Sequence, residues 1–394
     1  QDDDAGKRIV YADFKVTYAN GETKTVRREI EIVRPPLMLV HGLNGDAGTW
    51  KDFALRTKKI KYKKDDRFIV ATAPDMAPRS HFKLNASHLM DKSTNDKGIL
   101  SVIRQMRKLG YACNQVDYVC HSMGGSILRY AEEAEDGKYF YRKDNYGKGF
   151  VHKFITLHTP HNGSSFANLL CDPTFNADFV TTAILSGRVT RRFALYIVDQ
   201  FYDQDNQFYP HPAIWDLRYK DGVKFHDTPL RSHLIAGGID CSNEKNIPFD
   251  YKKALSLINE TTNEINGSDN YTAFKYYFTT HGFESDFMDM SDGIVSLNSQ
   301  FSAPPKKHST QNGPINTSFF PGIMHTGILD AFGADPTNTL KVGKRVNELL
   351  NAPVSSALFG SIPATNNLAT TRRASTETKP RLRSAEPGKV KIES

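Results

Sequence analysis

The chain contains no apolar run near the roughly 20 residues that a membrane-spanning helix needs, so no transmembrane segment is expected. Its polar start, Gln1-Asp2-Asp3-Asp4, lacks the basic and then apolar layout of a secretory leader. The reading is a mature chain, or a piece cut from a longer one with neighbouring domains missing. Cysteine is scarce: four in 394 residues, Cys113, Cys120, Cys171 and Cys241, with no C-x-x-C pair or Cys/His spacing. That excludes the common zinc frameworks. Cys171 and Cys241 each follow a strand-like run, which in a parallel sheet brings both to one edge; a bridge and two buried thiols are both compatible with this placement. The body of the chain also lacks a surplus of charge. Of the formal +7, a net +4 comes from the seven basic and three acidic residues after Thr371, and the remainder is ordinary for a body of this size. Nucleic-acid binding is therefore not expected.

A hydrophobic content of 39% is enough for one large core. Residues 1–33 read as a β-hairpin turning at Asn20-Gly21, with alternation in Val16, Tyr18, Val26, Ile30 and Ile32. This hairpin either begins the main sheet or is the remnant of an upstream domain. Residues 34–353 then alternate short apolar strands, at 37–40, 68–71, 116–120, 154–157, 233–236 and 317–320, with helical stretches. Such alternation predicts an α/β fold with a mostly parallel central sheet flanked by helices. Ile99, Ile103, Met106 and Leu109 fall on one face of a helix stopped by Gly110, and Asp335-Pro336 opens a last helix. An apolar, aromatic-rich insertion at 166–228 interrupts the rhythm and reads as a helical lid over the carboxyl edge of the sheet, or as an extra layer of core helices. Residues 354–394, rich in Ser, Thr, Ala, Pro and basic residues, read as a disordered basic tail or linker.

The chemistry centres on Val119-Cys120-His121-Ser122-Met123-Gly124-Gly125. A strand ends, a serine follows, and small residues allow the helix behind it to pack close, as in a nucleophile elbow. Cys120 stands where the usual G-x-S-x-G pattern has its first glycine, and a small, buried packing role is expected for it. Serine is a poor nucleophile unless a histidine takes its proton and an acid orients that histidine. On this kind of sheet the partners follow in the order Ser, acid, His. The acid candidate is Asp292 in Ser291-Asp292-Gly293, with Asp240 as its rival; the base candidate is His325 in Gly322-Ile323-Met324-His325-Thr326-Gly327. His121 reads as structural, because a residue beside an elbow serine points away from it. An oxyanion hole needs two backbone N–H groups. Met123, next to the serine, and Leu43, in His41-Gly42-Leu43-Asn44-Gly45, are the expected donors.

Five segments, LVHGLNG at 39–45, VCHSMGG at 119–125, TPHNGS at 159–164, SDGIVS at 291–296 and GIMHTGI at 322–328, resemble in type and order those of the bacterial secreted triacylglycerol lipases of the α/β-hydrolase superfamily. The resemblance implies an α/β-hydrolase fold, a triad of Ser122, Asp292 and His325, and oxyanion donors at Leu43 and Met123. It also implies a disulfide joining Cys171 to Cys241 and an extracytoplasmic location. Similar lipases hold calcium through an acid two residues beyond the histidine; here that position is Gly327, so neither calcium nor any other cofactor is expected.

The expected function is a serine carboxylester hydrolase cleaving lipid or other apolar acyl esters, with transient contact at a lipid surface. Acyltransferase, phospholipase and polyester depolymerase activities use the same triad and stand as alternatives. An inactive binding module on a hydrolase scaffold is disfavoured by the intact set of residues.

Overall fold

The computed structural model describes residues 7–43, 45–51, 53, 69–71, 80–91, 97–172, 202–203, 209–219, 221–238, 290–292, 294–302, 316–323, 325 and 336–365. Its strands are β1 (Lys7–Thr17), β2 (Thr23–Val33), β3 (Leu37–Val40), β4 (Ile69–Ala71), β5 (Val116–His121), β6 (Val151–Leu157), β7 (Tyr202–Asp203), β8 (Tyr209–Pro210), β9 (Thr228–Gly238), β10 (Thr317–Pro321) and β11 (Gly360–Ile362). The helices are α1 (Phe82–Leu89), α2 (Ile99–Lys108), α3 (Met123–Glu133), α4 (Ser165–Cys171), α5 (Pro212–Asp216), α6 (Leu297–Gln300) and α7 (Pro336–Asn351).

Among the described residues, six strands run parallel in the order β10-β9-β6-β5-β3-β4, and β11 joins β9 antiparallel. Residue alternation along these strands explains why the sheet is covered on both faces. Met38, Val40, Tyr118, Cys120, Phe154, Leu234 and Ala236 enter one buried apolar layer with residues of α1, α2 and α3. Leu37, Leu39, Val119, Ile155, Leu157 and Ile235 enter the other, against Val342, Val346, Leu349 and Leu350 of α7. A strand apolar on both sides is stable only between two helical layers. Lys153 reaches out of β6 to the end of α7, where its ammonium donates to the carbonyls of Leu349, Leu350 and Ala352 at 3.3, 2.8 and 2.7 Å. A cation there satisfies the carbonyls that a helix end leaves open. The arrangement is the α/β-hydrolase fold.

From β3 the chain first adds β4 on one side and then crosses to add β5 on the other. In open sheets of this type the crevice at the carboxyl ends of the two strands flanking that reversal is where ligands bind. Here the flanking strands are β3 and β5, which lead into the Gly42 and Ser122 turns.

Several expectations change. Among the described residues β1 and β2 pair only with each other, outside the main sheet, and Ile9, Tyr11, Phe14, Val16, Ile30 and Ile32 on them are exposed. Leu109 is exposed, because α2 ends at Lys108 and Gly110 turns the chain with φ +89°. The tail does not start at 354. Residues 354–365 belong to the fold: β11 pairs with β9, and the Thr365 N–H donates to Phe225 O at 2.8 Å. Cys171 carries a free, buried thiol, so the expected bridge to Cys241 is not seen among the described residues; Cys241 itself lies outside them. Residues 173–201, 204–208 and 220 of the expected lid also lie outside, as do Asp240 and Gly327. The described remainder of that insertion contributes α4, α5 and the paired strands β7 and β8, with Ala167, Leu170, Ala213 and Ile214 buried in the core. No helix among the described residues is long and apolar enough to cross a membrane.

Candidate active site

Ser122 follows β5 directly and has φ +53° and ψ −130°. A left-handed backbone at a residue with a side chain costs on the order of 1–3 kcal/mol and persists only where its surroundings impose it. The surroundings are two close approaches. A Cβ on Gly124 would stand 2.6 Å from His41 O, and one on Gly125 would stand 2.5 Å from Thr159 Oγ1. Without side chains at these two positions, α3 starts flush against the ends of β3 and β6. The Tyr118 hydroxyl, donating to Gly124 O at 3.0 Å, braces the turn from below. Cys120 is fully buried beneath it, its Sγ 3.7 Å from Ile155 O, and burial pushes its thiol far above the ordinary range.

Asp292 lies in a tight loop closed by an isolated bridge between Ser291 and Ser296. Its Oδ1 accepts from the N–H groups of Ile294 and Val295 at 3.0 and 2.7 Å, a turn that aspartate builds with its own side chain. Gln300 of α6 ties this loop to the end of β9, donating to Gly237 O and Val295 O and accepting from Gly237 N. The other carboxylate oxygen is left for the histidine.

His325 follows β10 through a turn at Gly322, φ +80°. Both of its main-chain groups are held. Its N–H donates to Asp292 O at 2.9 Å, and its carbonyl accepts from His121 Nε2 at 2.9 Å. His121 thus points away from the serine and fastens the histidine loop. Three sequence-nominated side chains come together here: His325 Nε2 is 2.7 Å from Ser122 Oγ, and His325 Nδ1 is 2.7 Å from Asp292 Oδ2. All three are buried, with Ser122 keeping 8% of its surface. Burial alone would raise the Asp292 carboxyl, but His325 and His158 outweigh it through charge and hydrogen bonding and hold the group below the usual carboxylate range.

The two nominated oxyanion donors flank the serine. Met123 is the first residue of α3 and fully buried; Leu43 is half-buried in the turn after β3, next to Gly42, whose Cα faces the Ser122 side chain.

Sequence reasoning overlooked His158. It directly follows β6, one residue before the TPHNGS segment, and its Nδ1 lies 3.2 Å from Asp292 Oδ2. The available signal was its position at the carboxyl end of the strand next to β5, where site residues of this fold collect. Among the described residues, His158, Asp292 and His325 also form one group with the spacing of a metal site, their ligand atoms within 4.8 Å of one another. A cation at that point would have to displace the hydrogen bond between Asp292 and His325.

Residues 37–209 match the family model described as "Putative serine esterase (DUF676)". The matched stretch holds Leu43 and the Ser122 turn and stops short of Asp292 and His325. Among solved structures, the chain is similar to the mature form of the Bacillus licheniformis lipase BlEst2 at 16% identity, over 80% of this chain and 92% of that one, with a TM-score of 0.37. It is also similar to EstA from Clostridium botulinum, at 14% identity over 81% and 88% with a TM-score of 0.44, and to the esterase RhEst1 from Rhodococcus sp. ECU1013, at 12% over 88% and 96% with a TM-score of 0.36. No curated protein matches the sequence.

Proposed function

We propose that the chain is a serine ester hydrolase that cleaves apolar, lipid-like acyl esters outside the cytoplasm through an acyl-enzyme on Ser122. The observation carrying this reading is the unbroken path from Ser122 Oγ through the His325 ring to Asp292 Oδ2, with 2.7 Å at each link. The serine esterase family match over the elbow agrees with it.

In the first half-reaction, Ser122 Oγ attacks the ester carbonyl carbon while its proton passes to His325 Nε2. The oxygen that becomes negative faces the N–H groups of Leu43 and Met123, each worth about 3 kcal/mol of barrier in sites of this kind. Asp292 stabilises the imidazolium and fixes its orientation without taking the proton. As the carbon–oxygen bond to the alcohol breaks, His325 returns that proton to the departing oxygen. In the second half, His325 takes a proton from water, the water oxygen attacks the acyl carbon, and the acid leaves as Ser122 Oγ regains its proton.

Labelling with a fluorophosphonate probe tests the nucleophile: the wild type labels and Ser122→Ala does not. Labelling that persists in Ser122→Ala overturns the assignment. A series of nitrophenyl esters of rising acyl length tests the substrate class. Activity confined to the acetate would remove the lipid-like substrate and leave the esterase.

A further inference from the structure

The reaction above uses only one of the two imidazoles that face Asp292. The second, His158, is fully buried at the end of β6 with φ +55°. Its Nδ1 sits 3.2 Å from Asp292 Oδ2, the oxygen that His325 Nδ1 approaches at 2.7 Å. The 3.2 Å contact is off the line of a well-formed hydrogen bond, and neither ring nitrogen of His158 has another partner among the described residues. The ring is nevertheless accommodated by design of the backbone. A Cβ on Gly237 would stand 2.6 Å from His158 Cε1 and 2.8 Å from its Nε2, so the end of β9 leaves room for an imidazole where any other residue would fill it.

Packing alone explains this poorly. Burying ring nitrogens without well-aligned partners costs on the order of 1–3 kcal/mol each, and the left-handed backbone adds a similar amount. An apolar side chain would fill the same space without the first of these costs. Burial also holds His158 neutral, against the pull of Asp292. A neutral imidazole carries one N–H, and the nitrogen facing the carboxylate is Nδ1. Hydrogen bonds of resting active sites are often long and tighten only as charge develops.

We propose that His158 is a positioning residue for the acid: its Nδ1–H is a second donor to Asp292 Oδ2, keeping the carboxylate aimed at His325 as the imidazolium forms. This rests on Asp292 and His325 acting as proposed above. Asp292 then has all its acceptor directions assigned, two backbone N–H groups on Oδ1 and two imidazoles on Oδ2. Because the His158 donor takes up part of the negative charge on Oδ2, its loss leaves more of that charge facing the imidazolium that forms in the reaction.

The test compares His158→Leu with His158→Asn, with rates normalised to sites titrated by fluorophosphonate. Asparagine tolerates a left-handed backbone and places an amide N–H near the Nδ1 position. We expect His158→Leu to lose about tenfold in kcat with KM unchanged, as for a small misplacement of a catalytic group, and its acidic limb of kcat/KM to move to higher pH. His158→Asn should recover both. Equal losses in the two variants with no movement of the limb would overturn the proposal and leave a packing role. Should His158→Leu fail to fold, NMR of histidine-labelled wild-type protein remains, with His158 identified by the signal that His158→Asn lacks. An Nδ1-protonated ring supports the proposal, and an Nε2-protonated ring overturns it. That spectrum reads out even if Ser122→Ala keeps its labelling, so failure of the hydrolase reading is distinguishable from failure of this one.

Discussion

Gly42 and Ser122 approach so closely that a methyl group on the glycine would stand 2.6 Å from the serine Cβ and 3.2 Å from its Oγ. The loop carrying Leu43 and the turn carrying Ser122 are therefore fitted to one another at the atom where chemistry is proposed. Gly42→Ala has to push one of them away. Overpacking of this kind costs about 1–3 kcal/mol, and a displacement near 1 Å at the reacting centre costs about 10²-fold in rate. The expected outcome is a drop of that size in kcat/KM with a folded protein, checked by ester kinetics beside thermal unfolding. Unchanged kinetics would mean that the two turns do not cooperate.

Asp292→Asn keeps the shape of the acid and replaces the oxygen facing His325 Nδ1 by an amide, or turns that amide away and weakens the acceptor. Either way the histidine loses the partner that fixes its tautomer. The expected loss is about 10⁴-fold in kcat, by analogy with the same change in a serine protease triad, with slower fluorophosphonate labelling. A loss below tenfold would shift the acid's role to another residue.

Cys120 should resist thiol reagents in the native protein. It is fully buried under the elbow, and burial raises its thiol far above neutrality, so little thiolate exists to react. Cys113, half-buried near the end of α2, should label before Cys120. Mass spectrometry after timed alkylation distinguishes them, and rapid modification of Cys120 in the folded state would contradict the packing described.

Stability should fall on the acid side of neutrality. His233 on β9 has Nδ1 2.7 Å from Leu358 O and Nε2 2.8 Å from Ser318 Oγ, which in turn accepts from Arg345 Nε at 3.0 Å. Burial, the largest effect, lowers its pKa to about 4, with the Leu358 carbonyl opposing and Arg345 reinforcing. The unfolded chain takes up this proton first, near pH 6.5. The contribution is therefore complete above about pH 6.5 and is lost as pH falls toward 4, amounting to about 3 kcal/mol from this one group. His121, His158 and His161, also held neutral by burial, act in the same direction. Denaturant midpoints measured from pH 7 to pH 5 should decline, and a flat profile would sink the idea.

The parts legible in sequence are those where one local requirement dominates. Buried parallel strands need unbroken apolar runs, so β3, β5 and β10 could be placed to within a residue or so. Ser122 and His325 each stand in a turn of small residues after a strand, Asp292 stands in a Ser-Asp-Gly turn, and chain order narrowed the candidates. His158 escaped notice because nothing local distinguishes it; its interest arises only when β6 lies between β5 and β9 and the Asp292 loop folds across their ends. The end of the domain was misplaced for a related reason. Gly360-Ser361-Ile362 is too short to read as a strand, and it becomes one by pairing with the open side of β9. The exposed apolar residues of β1 and β2 alternate as any half-buried sheet would, and alternation does not say which neighbour a strand has.

That open side of β9 is shared. Leu234 to Gly238 pair with β10, and Ser232 and Thr228 pair with Gly360 and Ile362 of β11 on the same side. Two segments remote from each other in sequence are thus laid end to end along a single row of backbone donors and acceptors. Unzipping the second would uncover a stretch of edge able to template strands from another copy. A chain shortened before Leu358 should consequently self-associate, a failure of solubility rather than of catalysis.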